Sequence, residues 1–499
     1  MKRFLSLLMC LLLVVSCLVL SACTAEEGNG GGGGGTGDKD FLNEQKNFNG
    51  QKIKILGYGG ETSLSACQID IEEGSDDPVK DAFYRRNQLI KDTYGLDIDV
   101  VLPGTGENPV NMIKTDIATN QKKYQAICNV FNNIAPLAID GYFQDVAAVN
   151  KEYLHLNEAW WDQTILKDLK INNKVFFVNG DALVEDDEAT WAIYFNKDLI
   201  EEYNLESPYD LVADNEWTID KMYEMAKKVG YSSGATKSYD PAVGDVWGMV
   251  IQSYDYFQMM LGADQPMINN DGTKPVLRVD DEENILTFNQ IKNLFDDRVN
   301  VGCADFEMGD KDYETRYGAE RQIFANGNAL FMPGSISYVS LKELQESNIH
   351  YGILPMPKRG ALQENYSSGT NSYYCAVIAI PRTNKDETLA ATCYALEAMA
   401  YYGKTIVTPE YYDRTLTLKK FEDTESGEML DIIFNNRVYD IANIYNLNSG
   451  NPSNGTMYFY TNLISKDGTG EIVSSYNEHK QSFEKGLANL LERCAANAK

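Results

Sequence analysis

Three histidines, His155, His350 and His479, are the only imidazoles in this 499-residue chain. None stands in an HExxH arrangement or beside a nucleophile motif, so histidine-dependent hydrolysis and zinc chemistry lack their usual parts. One GxSxG string occurs, Gly230-Tyr231-Ser232-Ser233-Gly234, but a helical pattern precedes it and the polar run 235–238 follows. A nucleophile elbow needs a strand before the serine and a helix after it, so this string reads as a turn that ends a helix. Asn269-Asn270-Asp271-Gly272 reads as a hairpin turn rather than a calcium loop, because the remaining ligand positions are not acidic. With 73 acidic residues, chance carboxylate pairs abound, and the separation that glycan hydrolysis requires is a property of space. A carbohydrate-active enzyme is therefore kept as the rival reading.

Non-covalent recognition by carboxylates, amides and aromatic rings remains. It concentrates first in residues 178–199, where Glu185, Asp186, Asp187 and Glu188 lie between two β-prone runs, with Trp191 just beyond. The segment has two readings, passage of the chain from one lobe to another or an ordinary solvated acidic loop. Further candidates follow strand-like runs: Glu61 after Gly57-Tyr58-Gly59-Gly60, and Asn129 and Asn132 after Tyr124–Cys128. Short amides there can bind hydroxyls or cap the next helix. The glycine-rich turn is not GxGxxG, which argues against a dinucleotide, and no cofactor is expected.

Positioning these groups falls to alternating elements. Lys52–Leu56 reads as a strand, Pro78–Tyr94 as a helix with Val79, Phe83, Asn87 and Ile90 on one face, and Ile98–Leu102 as the next strand. That alternation implies an α/β fold with a parallel sheet, whose ligands sit beyond the carboxyl ends of the strands. Nine cysteines are scattered without a CxxC; Cys128 and Cys375 lie in apolar runs as small hydrophobes, and nothing selects a disulfide.

The N-terminus carries an address. Lys2 and Arg3 precede an apolar run, Phe4–Leu20, that ends in Leu20-Ser21-Ala22-Cys23. This describes a secretory signal with a lipobox over residues 1–22, with Cys23 carrying the lipid. Residues 23–48, rich in glycine, form a flexible tether. The charge of −29 argues against nucleic acid as a partner, because phosphate binding needs the opposite sign.

The order of Phe195-Asn196-Lys197-Asp198, Trp217-Thr218 and the helix after it, Phe324–Met332 with Pro333-Gly334-Ser335, and Tyr351–Pro357 resembles the extracellular solute-binding lipoproteins of ABC importers. The likeness is nearest to their carbohydrate-binding, maltose-binding-protein-like type and runs from Ile53 to Tyr402. It implies a two-lobed periplasmic-binding-protein-like (type II) fold with hinge crossings and an inter-lobe ligand cleft. The implied lobes are 49–185 plus 356–404 and 186–355 plus 405–495, with crossings at Asp181–Glu188, near Pro355 and after Gly403. Cleft positions would fall on Asn129, Asp181, Asp187, Glu188, Gln252, Tyr254 and Ser335. Asn129 and Ile336 replace rings usual in the maltose type, and Trp191, Trp247, Tyr254 and Tyr373 are expected to supply stacking faces instead. The implied function is capture of a sugar or oligosaccharide by a lipid-anchored monomer that delivers it to ABC permease subunits. A peptide ligand is the alternative within the same fold.

Overall fold

The computed structural model describes residues 46–58, 69, 77–149, 151–231, 237–308, 313–417, 424–464 and 470–496. The signal and lipobox, Glu61, Cys67 and Ser232–Gly234 lie outside the described residues.

Two sheets organise the chain. In the first, β1 (Gln51–Leu56) pairs in parallel with β2 (Leu96–Val101) and with β3 (Ala126–Val130). Between β1 and β2 runs α1 (Pro78–Tyr94), which starts where the Asp77 carboxylate accepts from Val79 N–H and Pro78 needs no donor partner. It stops at Gly95, whose φ of 63° only glycine adopts cheaply. Its buried stripe includes Val79, Phe83, Asn87 and Ile90, the face expected from spacing. From β3 the chain passes directly into α2 (Phe131–Ile139), and α3 (Gln163–Asp168) follows.

The second sheet has the order β8-β4-β7-β5-β6. Its strands are β4 (Trp191–Asn196), β5 (Trp247–Ile251), β6 (Val301–Cys303), β7 (Ala329–Ser335) and β8 (Tyr351–Leu354). All six residues of β4 are buried, as suits a strand between neighbours and covered on both faces. Helix α5 (Ile219–Val229) packs on β5 through Ile219, Met222, Ala226 and Val229. Its approach demands Gly248, because a Cβ there would stand 2.1 Å from the Ala226 carbonyl oxygen. Tyr231 follows the C-terminus of α5 and bridges Val246, so the start of the GxSxG string leaves a helix rather than a strand.

The chain passes between the two sheets three times. A short helix, α4 (Glu185–Glu188), carries it from the bridge Val178–Ile378 to β4. A return segment after β8 runs through Ser368–Gly369 to β9 (Ala376–Ala379), which completes the first sheet antiparallel to β3. After α7 (Asp386–Tyr402) come α8 (Thr408–Thr417) on α1, α9 (Glu425–Asn435) on β8, and Arg437–Val438 paired in parallel with Ser368–Gly369. The tail is thus divided: α10 (Ile441–Tyr445) packs on α2, and α11 (Ile472–Ala496) touches both α2 and the helix Glu282–Phe295.

Three local expectations fare differently. Ile268–Asn269 and Val276–Leu277 form the antiparallel pair expected around Asn270-Asp271-Gly272. The spacing of Asn384 and Glu387 predicts a capping pair for α7, but the N-cap is Lys385 and the Asn384 amide donates instead to the Gln125 carbonyl and to Thr392. The acidic run 185–188 is not a solvated loop: Glu185, Asp186 and Glu188 are buried, for reasons that lie about 250 residues downstream.

Candidate functional site

Arg437 ties the crossings together. Its guanidinium donates from Nε to Thr190 Oγ1 at 2.9 Å and from Nη1 to Asp162 and Asp186, each at 2.9 Å. Nη2 donates to Asp187. Asp162 is wholly spent, since its other oxygen caps α3 at Thr164 and Ile165 while Oδ2 also accepts from the Tyr439 hydroxyl. Three carboxylates face one buried cation, so burial raises Asp186 and Asp187 despite the opposing pull of Arg437. The same corner is braced twice more. Arg86 Nη1 donates to the Ala182 carbonyl at 2.7 Å, and Thr408 donates to Asp181, whose carboxyl burial pushes up to about 6. Gly403 lies so close to the Asp181 carbonyl that a Cβ would come within 1.7 Å.

A second polar assembly forms at the carboxyl ends of β3, β5 and β7. Tyr254, at the end of β5 and the start of α6 (Asp255–Gly262), meets the Trp191 ring edge-on at 5.6 Å and the Tyr373 ring at 6.4 Å. Tyr373 belongs to the return segment held against the first sheet, where Asn132 N–H donates to the Ser372 carbonyl and Phe131 N–H to that of Cys375. The Tyr254 hydroxyl stands among Gln258, Asn443 and Ser372, 3.4 Å from Asn443 Oδ1. Beyond their approach to the Tyr254 hydroxyl, Ser372 Oγ, Asn443 Nδ2 and the Gln258 amide have no other hydrogen-bond partner. Buried polar atoms left unmatched are costly, so such a concentration marks a surface shaped for something other than its own packing.

The anticipated residues divide accordingly. Tyr254, Tyr373, Trp191 and Asn132 come together around this face, whereas Asn129 is fully buried in β3 and its Oδ1 accepts from Val130 N–H and Asn133 Nδ2. Gln252 and Ser335 stand behind it, with Gln252 Nε2 donating to the Tyr338 hydroxyl at 2.7 Å and Ser335 Oγ donating to the Glu188 carbonyl. Asp181 and Asp187 belong to the crossings. Glu188 is buried where α4 meets β7. Trp191 is only 1 % exposed, and its indole N–H donates to Asp255 at 2.7 Å, so it supports Tyr254 from beneath rather than offering an open face. Trp247 does not join them. It starts β5 at the opposite end from Tyr254 and is buried against Tyr239, Lys237 and Gly302.

Ser372, Gln258, Asn443 and Tyr338 were missed. The alternation Ser368, Thr370, Ser372, all bearing hydroxyls, was the one local signal for the return segment. Among the described residues no cluster of histidine, cysteine or carboxylate side chains has the makings of a metal site. Cys303, Cys375, Cys393 and Cys494 are buried free thiols and Cys128 is buried as well, and no described helix is long and apolar enough to cross a membrane.

No protein-family profile matches the chain, and no curated protein is similar to it in sequence. Solved structures are similar in fold. A sugar transporter protein from Rhizobium etli in an open conformation superposes with a TM-score of 0.54 at 13% identity, covering 89% of this chain and 99% of its own. UspC of M. tuberculosis gives 0.51 at 13% identity, over 90% of this chain and 100% of its own. The apo-form of RafE from Streptococcus pneumoniae gives 0.50 at 14% identity, over 90% and 98%. The chain therefore has the two-lobed solute-binding-protein fold, with an inter-lobe cleft and hinge crossings.

Proposed function

We propose that this chain is the ligand-capturing component of an ABC import system, and that it binds a sugar or oligosaccharide and hands it unaltered to a membrane permease. The observation that carries the reading is the face around Tyr254. Rings and unmatched amides and hydroxyls from both sheets converge there, and sugars present C–H faces to rings and hydroxyls to amides. The fold shared with a sugar transporter protein and with RafE supports it. Closure follows from binding, because a ligand that touches both lobes only when they meet stabilises that state. Cys23 anchors the mature protein, a monomer, to the outer face of the membrane through acyl chains, and the glycine-rich tether lets it reach the permease. One lobe is built on the sheet of β1, β2, β3 and β9 and the other on the sheet of β4–β8, with the tail after Gly403 shared between them, and Asn132, Tyr254 and Tyr373 contact the ligand.

The test is a thermal-shift screen of the purified full chain with maltose, raffinose, sucrose and ribitol, and with tripeptides as the contrasting class. A saturable rise in melting temperature with a sugar, and recovery of that sugar unchanged by chromatography, is the expected result. A shift with tripeptides alone would move the ligand class. Conversion of the sugar would make the protein an enzyme.

A further inference from the structure

A cavity of about 490 Å³ lies at the other end of the elements that build the Tyr254 face. Helix α6 begins beside Tyr254 and, about 10 Å along its axis, brings Leu261 to the cavity wall. The return segment reaches the cavity at Tyr366 and Ser367 and the face at Ser372 and Tyr373. The C-terminal strand reaches it at Val438, a few residues before Asn443. Asp168 of α3 closes the opposite wall. The cavity therefore touches the chain before the first crossing, within the second sheet's lobe, and on both later crossings. Its volume falls within the range of small-molecule sites, about 300–1,000 Å³.

The wall chemistry narrows the ligand. Arg437 borders the cavity, but its guanidinium is committed to Asp162, Asp186, Asp187 and Thr190. Lys167 is at the rim and 81% exposed. No inward cation is left to receive an anion. The acceptors are carboxylates, with Asp168 pushed up to about 6 by burial, and they are interleaved with the amides of Asn365 and Asn435 and the ring of Tyr366. Carboxylates and amides accept and donate to vicinal hydroxyls, and tyrosine rings take C–H faces.

We infer that this cavity, bounded by Asp168, Leu261, Asn365, Tyr366 and Asn435, is a second binding site, for a neutral polyhydroxylated ligand of mono- or disaccharide size. Because α6, the return segment and the C-terminal strand each reach both places, occupancy of one biases the geometry of the other, a coupling that is reciprocal by linkage. The inference does not depend on what the Tyr254 face binds.

Saturation-transfer NMR on the full chain with a millimolar mixture of glucose, galactose, sucrose, maltose and trehalose tests it. The protein is compared with Tyr254→Ala and with the cavity-filling variants Asn365→Trp and Asn269→Trp, each checked for native near-ultraviolet dichroism; two filling positions are used so that one misfolded variant leaves the other. The expected result is a sugar signal that survives Tyr254→Ala and falls about tenfold in a filled variant. A signal abolished by Tyr254→Ala and indifferent to filling would overturn the second site and leave the first reading standing. Absence of any filling-sensitive sugar signal would likewise overturn it, as would a filling-sensitive signal from spermidine in place of the sugars, since the ligand would then be a cation.

Discussion

The crossing corner around Arg437 and the face around Tyr254 are both built from buried polar side chains, and they differ in one respect. At Arg437 the donors are spent: the guanidinium serves Thr190 and three carboxylates, and Asp162 has both oxygens engaged. At Tyr254, Ser372 Oγ, Asn443 Nδ2 and the Gln258 amide stand unmatched apart from their approach to the Tyr254 hydroxyl. A spent polar network fixes the path of the chain, whereas an unspent one holds hydrogen-bonding capacity in reserve. Burial alone does not distinguish the two regions; their hydrogen bonding does.

That contrast can be broken by substitution. The largest effect is expected at Arg437→Met, which strands three carboxylates at the crossings. Breaking a buried pair this way costs about 3–5 kcal/mol, measured by urea unfolding at neutral pH. Without the cation the Asp186 and Asp187 carboxyls titrate still higher, so the loss should shrink as the pH falls towards 5, and a loss unchanged by pH would mean that Arg437 acts through packing alone.

Glu397 supplies a second spent group. Trp160 and Trp161 donate indole N–H groups to it and His155 donates its backbone N–H, each at 3.0 Å. Burial nevertheless raises the carboxyl from 4.5 to about 7. A carboxyl whose folded value is raised contributes stability that is fully present below its unfolded value and is lost as pH rises through the folded one. The stability of the native protein relative to Glu397→Gln should therefore fall by roughly 2–3 kcal/mol between pH 4.5 and 7. A flat difference across that window would contradict the assignment.

Smaller effects belong to the face itself. Trp191→Phe removes the donor to buried Asp255, with an expected loss of about 1–3 kcal/mol in thermal unfolding. Tyr254→Phe should cost about 0.5 kcal/mol or less, since its 3.4 Å contact with Asn443 is long, while weakening ligand affinity about tenfold by calorimetry. If Tyr254→Phe proved as destabilising as Trp191→Phe, the face would be structural after all.

Much of the fold was legible because it is written locally. Asp77-Pro78 and Gly95 bracket α1, Thr218 opens α5, and the apolar periodicities between such caps match the elements found. The site was legible in part. Tyr254, Tyr373 and Asn132 converge as their positions after strand-like runs or in the resemblance imply, Asn129 is instead buried in β3, and Trp191 lies beneath the face. Trp247 was indistinguishable in sequence from a stacking residue, because nothing local says at which end of a sheet the start of a strand will fall.

The sequence by itself determined which segments coil and which extend, since caps, glycines and hydrophobic spacing act within a few residues of one another. Its charge and its three scattered histidines argue against nucleic acid and histidine-based hydrolysis. Only the tertiary structure decided that Glu185, Asp186 and Glu188 are buried rather than solvated, and the cation that Asp186 faces there comes from Arg437. It likewise decided that Gln258, Ser372 and Asn443 share one surface. Hydrogen-bond saturation depends on which partners meet, and those partners come from opposite ends of the chain.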